Sequence, residues 1–290
     1  MRFSGSYVAL VTPFHADGSV NFEKLRELVE WHVQQGTDGI VALGTTGESS
    51  TMSHEEDDAV ARAVIETVNG RIPVICGAGS NSTQTQLEKS RRYHDMGADG
   101  LLLITPYYNK ANDEGMYRHF AAVADTVDTP IILYNVPGRT GCSISPACCA
   151  RLAAHPNIAG IKEASGNIGY TARIAKLVGD DFCLFSGNDD MIVPIMSLGG
   201  CGVISVWANI CPKEVHALTS AFASGEIAKA REIQLKYLEL IDVLFCEVNP
   251  IPVKEAMNQM GMEVGGYRLP LCEVSPAGRE RVRRALEVLR

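Results

Sequence analysis

Lys162 stands in the stretch IAGIKEASG, residues 158–166, at the end of an apolar, strand-like run and just before the small residues and glycine of a strand-to-helix turn. Holding an ammonium in apolar surroundings is costly, and the cost favours the neutral amine, the form that attacks a carbonyl carbon. A lysine so placed offers imine chemistry with a 2-oxo acid. Tyr134 closes another apolar run, PIILYN, and a phenol within hydrogen-bond reach of such a lysine is a suitable shuttle for the protons that move at the carbinolamine and enamine stages. The run Gly44-Thr45-Thr46-Gly47-Glu48 adds hydroxyls and backbone N–H groups on a glycine-permitted turn, where they could grip a carboxylate. Arg139, in NVPGRTG, is a guanidinium fork for a second carboxylate.

Taken singly, each of these has a plainer reading. A strand-end lysine can lay its stem on apolar surface and keep its head in water. GTTGE can be an ordinary turn, Tyr134 an amphipathic strand end, Arg139 a solvated loop charge, and Tyr107 and Tyr108 packing aromatics. Glu48 reads as structural, holding its own loop. Their joint placement is what gives them weight, and that depends on the elements that carry them.

The carrier is a repeating pattern of a short apolar run, a turn rich in Gly, Thr, Asn or Pro, and an amphipathic helix. Eight such runs fall at residues 7–12, 39–43, 73–77, 100–104, 130–135, 158–163, 182–187 and 202–206. Their near-continuous hydrophobicity suits a parallel sheet buried on both faces. Eight alternating units, with no GxGxxG after the first strand, predict an α/β fold of the (β/α)8 TIM-barrel type rather than an open doubly wound sheet. Helix starts are legible at Asn21, ahead of an apolar face of Leu25, Leu28, Val29 and Val33, at Ser53 with Glu56 in capping-box spacing, and at Ser145 followed by Pro146. Residues 212–224 supply the eighth helix. Residues 225–290 add helices near 226–245, 252–260 and 276–289, which predicts a catalytic barrel over 1–224 with a C-terminal helical extension packed on it.

In such a barrel the chemistry belongs at the C-terminal ends of the strands, where all the residues named above fall. Side chains alternate along a strand, so Gly160 and Lys162 share one face, as Ile132 and Tyr134 do on the preceding strand. Gly160 leaves room on the lysine's side, which predicts an inward lysine beside Tyr134.

Composition excludes several other functions. The 290 residues are 46% hydrophobic, enough for a large core, and no stretch approaches the roughly 20 apolar residues of a membrane span. The N-terminus does not read as a cleaved signal, so a cytoplasmic protein is expected. The net charge of −8 with scattered basic residues argues against nucleic acid as a partner. Nine cysteines without a CxxC, and seven histidines without HxH or HExxH, suggest neither a disulfide framework nor a metal.

At these residues the sequence resembles the dihydrodipicolinate synthase family of the pyruvate-dependent class I aldolases, over essentially the whole chain. The resemblance is carried by GTTGES at Gly44 to Ser49, TPYYNK at Thr105 to Lys110, YNVPGRTG at Tyr134 to Gly141, GIKEAS at Gly160 to Ser165, SGND at Ser186 to Asp189 and NPIPVK at Asn249 to Lys254. It implies condensation of pyruvate with L-aspartate 4-semialdehyde to 4-hydroxy-tetrahydrodipicolinate in lysine and diaminopimelate synthesis, with no metal and no dissociable cofactor. Residue by residue, it implies that Lys162 forms the Schiff base and Tyr134 shuttles its protons. Thr45 links Tyr134 to Tyr108, the latter supplied by a neighbouring subunit of a homotetramer. Thr46 holds the pyruvate carboxylate, Gly187 and Ile204 give main-chain contacts beside the imine, and Arg139 binds the carboxylate of the semialdehyde. The alternative is a related aldolase of the N-acetylneuraminate lyase or sugar-acid type, and Arg139 argues against it. Lysine-inhibited members bind the effector with residues that map to Ser49, Ser50, His54, Asn81 and Tyr107. Asp57 and Thr85 stand where such members carry His and Glu, and losing that Glu weakens the case for feedback inhibition.

Overall fold

The structure is a computed structural model described over residues 3–289. The eight apolar runs form eight strands, β1 (Gly5–Ala9), β2 (Gly39–Ala42), β3 (Val74–Gly77), β4 (Gly100–Ile104), β5 (Ile131–Asn135), β6 (Ile158–Glu163), β7 (Cys183–Ser186) and β8 (Gly202–Ser205). They follow one another in chain order around a closed barrel, the TIM barrel predicted from the repeat. The helices between them are α1 (Phe22–Gln34), α2 (His54–Val68), α3 (Thr83–Asp95), α4 (Asp113–Ala124), the single turn α5 (Pro137–Thr140), α6 (Pro146–Ala153), α7 (Ile168–Leu177) and α8 (Ile192–Ser197). Then come α9 (Pro212–Ala223), α10 (Ile227–Lys236), α11 (Leu238–Val243), α12 (Ile251–Gln259) and α13 (Pro276–Ala285).

The polar residues at the helix starts do what their types allow. Asn21 accepts the Lys24 N–H at 3.0 Å, Ser53 and Glu56 close a full capping box, and Ser145 accepts the Cys148 N–H at 3.1 Å with Pro146 at the first helical position. Each such cap is worth about 1 kcal/mol.

Among the elements, the structure departs from the sequence reading at β1, α1 and the helix after residue 225. β1 stops at Ala9 because, although Leu10 N–H still reaches the Val41 carbonyl (3.0 Å), the next donor, Val11 N–H, turns to the Asn209 side chain (3.1 Å). On α1 the buried stripe is completed by His32 instead of Val33. Its Nδ1 bonds the Thr37 hydroxyl at 3.0 Å, and burial pushes the imidazole down to about 3, so the ring is neutral and fits an apolar face. The helix expected over 226–245 is two, broken at Tyr237, whose ring lies 5.2 Å from that of Trp207.

The chain forms two compact units. One holds Pro73–Ile204 with the residues up to Gly5, and the other holds Ser6–Ile72 with the chain from Ser205 onward. In the first, β3 to β7 pair in parallel, Leu101 to Ile104 lying opposite Ile131 to Tyr134, and the β5–β6 register shifts by one residue between Ile131, opposite Ile158, and Ile132, opposite Gly160. In the second, the helices after residue 224 join β1, β2 and their loops, as in the bond from Phe14 N–H to the Val264 carbonyl at 3.1 Å. Among the described residues no helix is long and apolar enough to cross a membrane.

Candidate active site

The first unit brings Lys162 and Tyr134 together. They are direct neighbours in the β5–β6 register, so alternation puts both side chains on one face. Which face follows from the next residue. Glu163 Oε2 accepts the Thr171 hydroxyl of α7 at 3.0 Å, so Glu163 points to the helix layer and Lys162 points into the barrel. Lys162 is 6% exposed and Tyr134 7%, and the Lys162 Nζ lies 4.5 Å from the centroid of the Tyr134 ring, within cation–π range.

Two glycines shape this corner. A Cβ on Gly187 would sit 2.6 Å from the Ala164 Cβ and 3.2 Å from the Lys162 Cε, so only glycine lets the end of β7 close over the lysine. Gly160 does not leave the open space expected of it. A Cβ there would lie 2.3 Å from the Cys183 carbonyl oxygen, so the missing side chain is replaced by the backbone of β7.

Behind Lys162 and Tyr134, Glu163 Oε1 accepts the Asn135 amide (3.1 Å) and the Ser165 N–H (2.8 Å), and Asn135 Oδ1 accepts the Ile144 N–H (3.0 Å). The carboxylate is fully buried but meets a donor at each oxygen, as a buried charge requires. Asn135 and Glu163 are residues that the sequence reading missed. Their signal was present: polar side chains that directly follow Tyr134 and Lys162 and must, by alternation, face the other way.

The second unit holds the GTTGE turn. The turn is closed by Gly47 N–H to the Gly44 carbonyl and Glu48 N–H to the Thr45 carbonyl, both 3.1 Å, and the Thr12 hydroxyl donates to the Gly47 carbonyl at 2.7 Å. The left-handed residues are Leu43 (φ 58°) and Glu48 (φ 53°) rather than the glycines, so the turn carries backbone strain where the chemistry was expected. Thr45 is half-buried and Thr46 buried. The Thr46 hydroxyl accepts the Asn249 amide at 3.0 Å.

Glu48 holds its loop through Lys254, which the sequence reading gave no role. The Lys254 ammonium donates to Glu48 Oε1 (2.8 Å), to the Thr12 carbonyl (3.1 Å) and to the Gly266 carbonyl, and it lies 4.4 Å from the centre of the Phe14 ring. Burial pushes the Lys254 ammonium below its ordinary range, and the Glu48 carboxylate opposes that shift. A lysine within the apolar run IPVKEAM was the available clue.

The remaining candidates lie at the surface or in the core. Arg139 is exposed on α5, and Tyr108 is 91% exposed with a left-handed backbone (φ 70°). Ile204 is wholly buried in β8. Of the residues mapped to effector binding, Asn81 and Tyr107 meet, the Asn81 amide donating to the Tyr107 carbonyl at 3.3 Å. Ser49 and Ser50 lie in a one-turn 3-10 helix, Ser49–Thr51, and His54 opens α2 with an exposed side chain. Asp57 is buried in α2 and Thr85 is half-buried in α3.

The sequence model of the dihydrodipicolinate synthetase family matches residues 2–289. A 4-hydroxy-tetrahydrodipicolinate synthase of Clostridium perfringens (strain SM101 / Type A) is 52% identical over 272 residues, covering 94% of this chain and 93% of the relative. Another protein of that name, from Caldicellulosiruptor bescii, is 53% identical over 284 residues, 98% of this chain and 96% of the relative. Among solved structures, the chloride-inhibited dihydrodipicolinate synthase from Acinetobacter baumannii complexed with pyruvate superposes with a TM-score of 0.96 at 45% identity, covering 98% of each chain. Both the barrel and the helices that follow it lie within these matches, and the chain belongs to the dihydrodipicolinate synthetase family.

Proposed function

We propose that the chain condenses pyruvate with L-aspartate 4-semialdehyde to give 4-hydroxy-tetrahydrodipicolinate through an imine on Lys162. The observation that carries this is a lysine buried on the inner face of the barrel, its Nζ 4.5 Å from the ring of Tyr134. Close relatives bearing the name of that synthase over more than nine-tenths of their length, and a related structure that holds pyruvate, support the same reaction.

The Lys162 amine adds to C2 of pyruvate, and loss of water from the carbinolamine leaves the imine. Loss of a C3 proton gives the enamine, whose C3 attacks the aldehyde carbon of the second substrate. The amino group of that substrate then adds to C2, closes the ring and releases Lys162 as the free amine. Tyr134 moves the protons at these stages, with Thr45 and Tyr108 completing the path that the resemblance implies. Thr46 takes the pyruvate carboxylate, Gly187 and Ile204 give main-chain contacts beside the imine, and Arg139 takes the carboxylate of the semialdehyde. The near-complete exposure of Tyr108 supports its service to a neighbouring subunit, and a cytoplasmic homotetramer is part of the proposal.

Borohydride reduction in the presence of pyruvate, followed by peptide mass analysis, tests it. The expected result is a reduced adduct on Lys162 that is absent from Lys162→Ala, a variant that loses turnover while keeping its melting temperature near that of the parent. An adduct elsewhere, or none, overturns the mechanism. Cleavage of sialic acid or 2-keto-3-deoxy sugar acids with no turnover of aspartate semialdehyde replaces it with the aldolase alternative.

A further inference from the structure

Asn249 and Thr46 are 203 residues apart in sequence, and both are buried, at 6% and 3% exposure. A threonine hydroxyl has one hydrogen to give and two lone pairs to receive with. The Asn249 amide, 3.0 Å away, donates into one of those lone pairs. An NH2 group has no lone pair to offer in return, so the hydroxyl hydrogen points elsewhere. Among the described residues the Thr46 hydroxyl makes no other hydrogen bond. The result is a donor aimed away from Asn249 and held ready for a ligand that only accepts, which is what a carboxylate is.

The support under this donor is rigid. Asn249 directly precedes Pro250 at the start of α12, and Lys254, five residues further on, is bonded to Glu48, two residues beyond Thr46. One short stretch of chain therefore grips the turn at two points, one through a hydroxyl and one through a buried charge.

We infer that Asn249 is a positioning residue for 2-oxo-acid recognition: by donating to Thr46 it fixes the threonine hydroxyl as a hydrogen-bond donor to the pyruvate carboxylate. This rests on the reading that Thr46 binds that carboxylate. Asn249 does not touch the substrate. Its amide fills one lone pair of the hydroxyl and leaves the hydrogen for the substrate.

The test compares Thr46→Val, Asn249→Ala, Asn249→Asp and the Thr46→Val/Asn249→Ala double variant by steady-state kinetics in both substrates, with a melting curve for each. Asn249→Ala is expected to raise the pyruvate KM about tenfold, leaving kcat and the semialdehyde KM within about twofold. Asn249→Asp, which is isosteric but only accepts, is expected to be worse than Asn249→Ala, because it captures the hydroxyl hydrogen and repels the carboxylate. The isosteric variant carries the test should the alanine variant fail to fold. In the Thr46→Val background, Asn249→Ala is expected to change the pyruvate KM no further. If Thr46→Val leaves the pyruvate KM unchanged, the carboxylate reading falls and the inference with it. If Thr46→Val raises it but Asn249→Asp matches the parent, or the two single effects simply add, the inference is overturned and the reading of Thr46 stands.

Discussion

Replacing Lys254 by Met removes one charge from a place with no exposed surface on either partner and keeps most of the volume of the stem. The ammonium spends its three hydrogens on Glu48, Thr12 and Gly266. Without it, the Glu48 carboxylate stays buried with the Arg268 N–H at 3.2 Å as its remaining hydrogen-bond partner among the described residues, and two carbonyls lose a donor. Breaking a buried pair from one side costs about 3–5 kcal/mol, against a usual folding margin of about 5–15 kcal/mol. At about 2–4 °C per kcal/mol the melting temperature should fall by roughly 6–20 °C. Adding Glu48→Gln removes the stranded charge, so the double variant should recover a large part of that loss, although the Thr12 and Gly266 carbonyls still lack their donor. Circular-dichroism melts of the parent, both single variants and the double variant check this. A Lys254→Met protein that melts within about 2 °C of the parent, or a double variant that melts below the Lys254→Met single, would refute the reasoning, since either result means that no charge was stranded.

Gly187→Ala should push the Lys162 Cε and the Ala164 Cβ out of place, which lie 3.2 and 2.6 Å from the new methyl. Overpacking of this kind costs about 1–3 kcal/mol, and kcat/KM is expected to fall by about tenfold or more; parent-like kinetics in a folded variant would contradict it. Glu56 is held down to about 2, from an ordinary 4.5, mainly by its hydrogen bonds to Arg268. Its stabilisation is therefore complete above about pH 4.5 and is lost as pH falls towards about 2, and because its side chain is 34% exposed the effect is on the order of 1 kcal/mol. Glu56→Gln should flatten the fall in melting temperature across that acid window, and parallel curves for parent and variant would show that the pair contributes nothing.

How much of this could be read in advance depended on how far apart the partners lie in sequence. The strands were legible because a parallel sheet buried on both faces leaves continuous apolar runs, and the caps were legible because Asn21, Ser53 and Ser145 bond within three residues of themselves. The neighbouring of Lys162 and Tyr134 needed only alternation and the adjacency of consecutive strands. Lys254 with Glu48, and Asn249 with Thr46, span 206 and 203 residues, and no local pattern announces either. The polar character of Glu48 showed that it must hold something; the sequence had no way of naming Lys254. Gly160 was read as leaving open room beside Lys162, but backbone from the next strand fills that place, which composition does not encode.

The β5–β6 register does more than bring Lys162 and Tyr134 together. The same pairing that sets Tyr134 opposite Lys162 sets Asn135 opposite Glu163, one step along and on the other face. Because the period is two, a slip of one residue would turn Glu163 into the barrel and Lys162 out towards α7. It would also strip Glu163 of the Asn135 amide, the Ser165 N–H and the Thr171 hydroxyl, leaving a charge buried without donors. That cost is several kcal/mol, more than a strand pair dominated by interchangeable Ile and Leu contacts would place on a slip by itself. The buried carboxylate therefore makes the register unambiguous from the outer face, and the orientation of Lys162 on the inner face follows from it.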